Sequence, residues 1–126
     1  MSKAWDLPDE IRQLGEAYLV AFNTRDFDGY VAVLHFPYIT INGVEVAVIY
    51  EPDGLHPGMF DYMEEMGWDR SVWESAKLIQ KKPGKVHVAV SFTRRRKDDS
   101  VLEANECVYV MTHENGRWGI KATSLL

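Results

Sequence analysis

The stretch Tyr18–Gly43 constrains the fold of this chain more than any other. It reads YLVAFNTRDFDGYVAVLHFPYITING. In order, it holds the end of one helix, a short break, a second amphipathic helix and a strand running into a hairpin turn. Upstream, Asp6 can cap the first helix, with Leu7 and Pro8 in its first turn, where a missing backbone donor costs nothing. Asp9 and Glu10 suit the positive end of the helix dipole. Ile11, Leu14, Tyr18 and Phe22 recur at helical spacing and predict a helix ending near Asn23–Arg25. Asp26 caps a second helix, with Phe27, Tyr30, Val31 and Leu34 on its apolar face and His35 at its end. Pro37 forbids further helix, because the residue before a proline is pushed towards extended geometry.

The rest is mostly strand. Tyr38–Ile41 and Val44–Tyr50 flank Asn42-Gly43, a pair that tolerates the positive φ of a two-residue hairpin. A proline- and glycine-rich loop, Glu51–Gly58, leads to a short third helix that runs to Met66 and stops at Gly67. Its stripe is Phe60, Met63 and Met66. Ser71–Gln80, a turn at Lys81–Lys85, and the alternating run Val86, Val88, Val90 and Phe92 follow. Arg94–Ser100 reads as a charged, solvated hairpin tip, with Asp98 and Asp99 offsetting the basic residues. Val101–His113 and Arg117–Ser124 close the sheet around a second hairpin turn, Asn115-Gly116. A type I′ turn there pairs Trp118 with His113. This order predicts one α+β domain over residues 1–126: a strongly curved antiparallel sheet wrapped around N-terminal helices, leaving a cone-shaped space.

Composition narrows the function classes. A net charge of −5 over 126 residues argues against a nucleic-acid partner. The longest apolar runs are too short to span a bilayer, and the N-terminus lacks an apolar stretch of signal-peptide length. A cytoplasmic location is expected. The single cysteine, Cys107, fits a reducing compartment and excludes both an internal disulfide and a cysteine-based metal site. The four histidines show no metal-ligand spacing, so no metal is expected; no organic cofactor is expected either.

The element order resembles the nuclear transport factor two-like superfamily. The likeness is carried by Ala21-Phe22-Asn23 and Arg25–Gly29, by Lys85–Val88 through Phe92–Arg94, and by Tyr109–Thr112, Glu114–Gly116 and Arg117–Ile120. It implies a cone-shaped fold and a homodimer formed through the sheet. Superfamily members are functionally mixed, so fold does not deliver function. The resemblance to ketosteroid isomerase, one member, places its helix-one tyrosine on Tyr18. Its carboxylate base falls on Asn42, and its second acid on Val108, or on Cys107 with a one-residue slip. Two of three catalytic groups are absent, which excludes that isomerisation as performed there.

The leading expectation is binding of a small, mainly apolar molecule in the cone. Tyr18, Tyr38 and Tyr62, with Val88, Val90 and Val108, would form its surroundings. Tyr18 is either a hydrogen-bond donor to the ligand or an ordinary core tyrosine. The alternative is a cofactor-independent lyase, isomerase or cyclase working by proton transfer, with Glu106 or His35 as base and Tyr18 stabilising an oxyanion. Glu103 and Glu106 fall on opposite faces of one strand, so one of them faces inward. A third reading is a dimeric association module whose cone is filled by its own side chains. His87 is expected on the outer face, at a dimer contact. Met59, Met63 and Met66 form either a flexible lid or the inner face of a short helix.

Overall fold

The computed structural model describes residues 4–126. Residues 1–3, part of the N-terminus expected to lack a signal-peptide run, lie outside that range. The elements are β1 (Trp5–Asp6), α1 (Asp9–Asn23), α2 (Phe27–Ala32), β2 (Leu34–Asn42), β3 (Glu45–Ile49), α3 (Met59–Glu65), β4 (Arg70–Lys82), β5 (Lys85–Arg95), β6 (Val101–Glu114) and β7 (Arg117–Leu125). The strands form one sheet in the order β1-β4-β5-β6-β7-β2-β3. The fold is α+β, and the sheet is open. Among the described residues no helix is long and apolar enough to cross a membrane.

The long strands β4, β5, β6 and β7 pair antiparallel, whereas β1–β4 and β2–β7 pair parallel. The long strands are antiparallel, as expected, and the two parallel pairs are an addition to that picture. Parallel partners lie far apart in sequence, and local turn signals do not announce them. Register shifts interrupt β4, the start of β6, β7 and β2. Such bulges bend strands and increase twist, which curls the sheet towards the helices.

Alternation decides which side chains face those helices. Val86, Val88, Val90 and Phe92 on β5 are buried, as are Cys107, Tyr109 and Met111 on β6. They meet Ile11, Leu14 and Phe22 of α1, together with Leu34, Tyr38 and Ile120. Leu34, Val88, Met111 and Ile120 are essentially sealed from solvent, each worth roughly 1.5–3 kcal/mol of burial. At the end of α1, the Asn23 amide donates to Ser71 O and accepts from Ser71 N, at 3.0 and 2.9 Å. These two bonds tie the helix to β4.

Several boundaries differ from expectation. Asp6 lies in β1 opposite Lys77 and does not cap α1; Pro8 takes the cap position and accepts from Arg12 N. Asp26 does cap α2, its carboxylate accepting from Gly29 N at 3.0 Å. That helix stops at Ala32, so Leu34 and His35 belong to a strand. The helical spacing up to Leu34 is overridden because Leu34 pairs in parallel with Ile120 of β7. Arg94 and Arg95 belong to β5, leaving a shorter tip at residues 96–100. The Asn115-Gly116 turn has two positive φ angles, 53° and 77°, and pairs His113 with Trp118, whose rings lie 5.5 Å apart.

Candidate functional site

The deep part of the space under α1 is filled by aromatic rings. Tyr18 has its ring centroid 4.9 Å from Phe22, 6.0 Å from Tyr30, 6.0 Å from Trp73 and 5.4 Å from Tyr109. The Tyr109 hydroxyl donates to the Tyr18 hydroxyl at 3.4 Å, and Tyr38 shares a 2.7 Å hydrogen bond with the Thr123 hydroxyl. Although Tyr18 as a residue is only half-buried, its phenol is packed away from water. Burial raises the pKa of Tyr18, Tyr30, Tyr38 and Tyr109, with desolvation the largest cause for each. These phenols therefore stay protonated at neutral pH and act as donors. Burial also pushes the Cys107 thiol up to about 11, which keeps it an unreactive thiol.

Open volume lies further out, at the mouth between α3 and the far ends of β5 and β6. A concavity of about 270 Å³ is lined there by Tyr62, Met63, Met66, Trp68, Leu102, Arg94 and Glu103. Tyr62 and Met66 stand exposed at its rim, while Trp68 is buried. The Trp68 ring carries the Arg25 guanidinium 4.2 Å from its centroid, and its indole N–H donates to Ser71 Oγ. Arg94 follows the inward alternation of Val90 and Phe92. Its guanidinium pairs with the Glu103 carboxylate and stands 5.6 Å from the Phe92 ring centroid. Two buried polar atoms near this pair have no hydrogen-bond partner, Arg94 Nε and Asn105 Nδ2. Among the described residues no cluster of His, Cys, Asp and Glu could hold a metal ion.

The structure gathers some of the expected site residues and disperses others. Tyr18, Tyr38, Val88 and Val90 all face the helices, with both valines sealed in the core. Tyr62 lies at the mouth. Glu106 and Val108 are on the outer face and border a surface groove of about 380 Å³. Glu106 is exposed and pairs with Ser91, one step out of phase with the inward pair Val90–Cys107. It therefore does not face Tyr18, as an inward base would. The carboxylate on the inward row is Glu103. Val108 is likewise removed from the ligand surroundings. His35 is not at a helix end but buried in β2. Its Nε2–H donates to Arg117 O at 3.1 Å, and its ring lies against Gly119, where an added Cβ would come within 2.6 Å. Gly119 faces away from its neighbour Ile120, so the imidazole packs on the side opposite the phenols. Arg94 and Leu102 at the mouth, and Asn105 behind it, escape the sequence reading, which holds Glu103 as one of two candidates for the inward carboxylate. A signal for Arg94, Asn105 and Glu103 was present: the inward parity of Val86–Phe92 extends to Arg94, and that of Cys107–Met111 extends back to Asn105 and Glu103.

With this geometry in view, known proteins agree on the fold. The family model of NTF2-like proteins designated DUF6841 matches residues 9–125, and the chain belongs to that family. Among solved structures, an NTF2-like protein of unknown function from Shewanella oneidensis superimposes with a TM-score of 0.76 at 13% identity, covering 93% of this chain and 96% of that one. A candidate ketosteroid isomerase from Shewanella frigidimarina gives 0.72 at 9% identity, covering 97% and 98%. A cystatin-like protein of unknown function from Nostoc punctiforme gives 0.69 at 15%, covering 92% and 86%. At such identities these likenesses establish the fold alone. No curated protein matches the chain.

Proposed function

We propose that this protein binds a small, mainly apolar molecule at the mouth of its curved sheet. The observation that carries this reading is the concavity of about 270 Å³ walled by Met63, Met66, Trp68 and Leu102, with a single ion pair, Arg94–Glu103, on its polar side. An apolar wall with a few placed polar groups is the usual make-up of a small-molecule site. Methionines add a wall that reshapes around different ligands. Tyr18 and Tyr38, expected as ligand contacts, lie deeper in the aromatic core and do not line this concavity. A proton-transfer enzyme built on Glu106 or His35 gains no support, because neither side chain shares a face with Tyr18. The buried, free Cys107 suits a reducing, cytoplasmic compartment.

The outer face of the sheet supports a homodimer. Val48–Ile39–Ala122–Val110 and Val46–Ile41–Ser124–Val108–Ala89 form two lateral rows across β3, β2, β7, β6 and, in the second row, β5. Val46 and Val48 are exposed, 64% and 43%. Apolar rows of this extent on a sheet face favour a protein partner. A second copy placed back to back would cover them and leave both mouths open.

Titration calorimetry with acetylnaphthalene tests the binding reading. Saturable binding to the wild type, lost in Leu102→Trp with an unchanged circular dichroism spectrum, is the expected result. Equal binding by both proteins, or none by the wild type, overturns it.

A further inference from the structure

We infer that the molecule received at this mouth carries an uncharged acceptor oxygen, such as a ketone or ester carbonyl, read by Arg94 and Asn105. This rests on the apolar-ligand reading above and adds the chemistry that reading leaves open. The starting point is an imbalance. Arg94 Nε and Asn105 Nδ2 are buried and unpartnered, and both are donors. A buried donor without an acceptor carries its full desolvation cost, so such atoms are rare in a finished core. What these two atoms lack is an acceptor.

The two donors sit on adjacent strands: Arg94 lines the mouth, and Asn105 stands one inward position deeper, behind that lining. Arg94 leans over Phe92, 5.6 Å from its ring centroid. Phe92 is the cross-strand partner of Asn105 in the β5–β6 register, and Arg94 is the partner of Glu103. Arg94 and Asn105 are therefore diagonal neighbours on the inward face, a spacing that long side chains span.

Charge then selects among acceptors. Glu103 already neutralises Arg94 through a terminal nitrogen. A ligand carboxylate would meet the Glu103 carboxylate at close range and pay for desolvation without a free cation to offset it. A neutral carbonyl takes the bonds that Nε and Nδ2 can still donate and leaves the ion pair intact. Neither donor atom is exposed, so the acceptor reaches them as Met63 and Met66 yield on ligand entry.

The test compares three probes of matched shape by titration calorimetry: 2-acetylnaphthalene, 2-isopropenylnaphthalene and 2-naphthoate. The ketone is expected to bind roughly tenfold or more tightly than the hydrocarbon, the worth of one to two net hydrogen bonds, and more tightly than the acid. In Asn105→Leu the ketone-to-hydrocarbon ratio is expected to fall towards one. A structural role for Asn105 would weaken both probes alike and leave the ratio standing, which overturns the assignment. Equal affinity of ketone and hydrocarbon in the wild type also overturns it, while apolar binding itself survives. Tightest binding of the acid replaces the neutral oxygen with an anion and sinks the proposal. Failure of all three probes removes this inference together with the binding reading. The wild-type comparison decides the matter even if the variant does not fold.

Discussion

The Tyr109 hydroxyl donates to the Tyr18 hydroxyl across 3.4 Å, joining the middle of β6 to the middle of α1. The bond is long for a phenol pair, and both rings are held by further aromatic contacts. Tyr18 thus acquires a polar link to the sheet without losing its place in the core. Tyr109→Phe removes the donor and keeps the ring. The expected cost is about 0.5–1 kcal/mol, the lower half of the range for one net hydrogen bond. Urea denaturation measures it; an unchanged midpoint would show that the phenol pair contributes nothing to stability.

Alkaline pH should destabilise the fold in two stages. The folded Cys107 thiol titrates at about 11, above its ordinary value of 9.0, and the folded phenols titrate above 10.0. In the unfolded chain these groups lose their protons first. Stability is therefore complete below about pH 9 and falls as pH rises towards 11, because the native state binds more protons than the unfolded one. Urea midpoints at pH 8, about 9.5 and about 10.5 report the fall. Cys107→Ala should delay its onset towards pH 10. A flat profile to pH 10.5 contradicts the burial of these groups.

Gly15→Ala tests the closeness of α1 to the sheet. A Cβ at Gly15 would come within 2.7 Å of the Trp73 ring. Trp73 cannot retreat, since Trp5 and Tyr109 press on it at 5.0 and 5.1 Å between centroids. Alanine gains about 1 kcal/mol of helix propensity, but overpacking costs about 1–3 kcal/mol. A net loss near 1 kcal/mol is expected in thermal or urea melts. A stabilised variant would mean that the helix rides further from the sheet.

Val110→Lys tests the back-to-back dimer. Val110 sits mid-row on the outer face, opposite His87 on one side and Ala122 on the other. A buried, unpaired ammonium in an apolar interface is strongly unfavourable. Sedimentation velocity should show a dimer for the wild type and a folded monomer for the variant. A monomeric wild type refutes the proposal outright.

Local signals in the sequence located most elements and few of the site residues. Asn115-Gly116 declared its turn because two consecutive positive φ angles demand such residues. Val86, Val88, Val90 and Phe92 declared an inward face by simple alternation. The start of β2 was hidden, because Leu34 also satisfied the spacing of the preceding helix and its true partner, Ile120, lies 86 positions away. Glu106 and Glu103 could not be assigned to faces from their own chemistry; the apolar parity of Cys107, Tyr109 and Met111 settles it in favour of Glu103. Arg94 was lost in a charged run that reads as solvated, although it continues the inward row. Charge masked position there, and the mouth of the site went with it.

The parallel pairing of β2 with β7 also dictates when this protein can exist as a folded body. During synthesis, Leu34–Asn42 emerges early and finds only β3 beside it. A lone hairpin of that kind is marginal in water. Its other neighbour, β7, emerges only after β3, β4, β5 and β6. Tyr38 therefore waits, with its bond to Thr123 unmade, until β7 is translated. Closure of so distant a contact is slow, so this part of the sheet is completed only once β7 arrives.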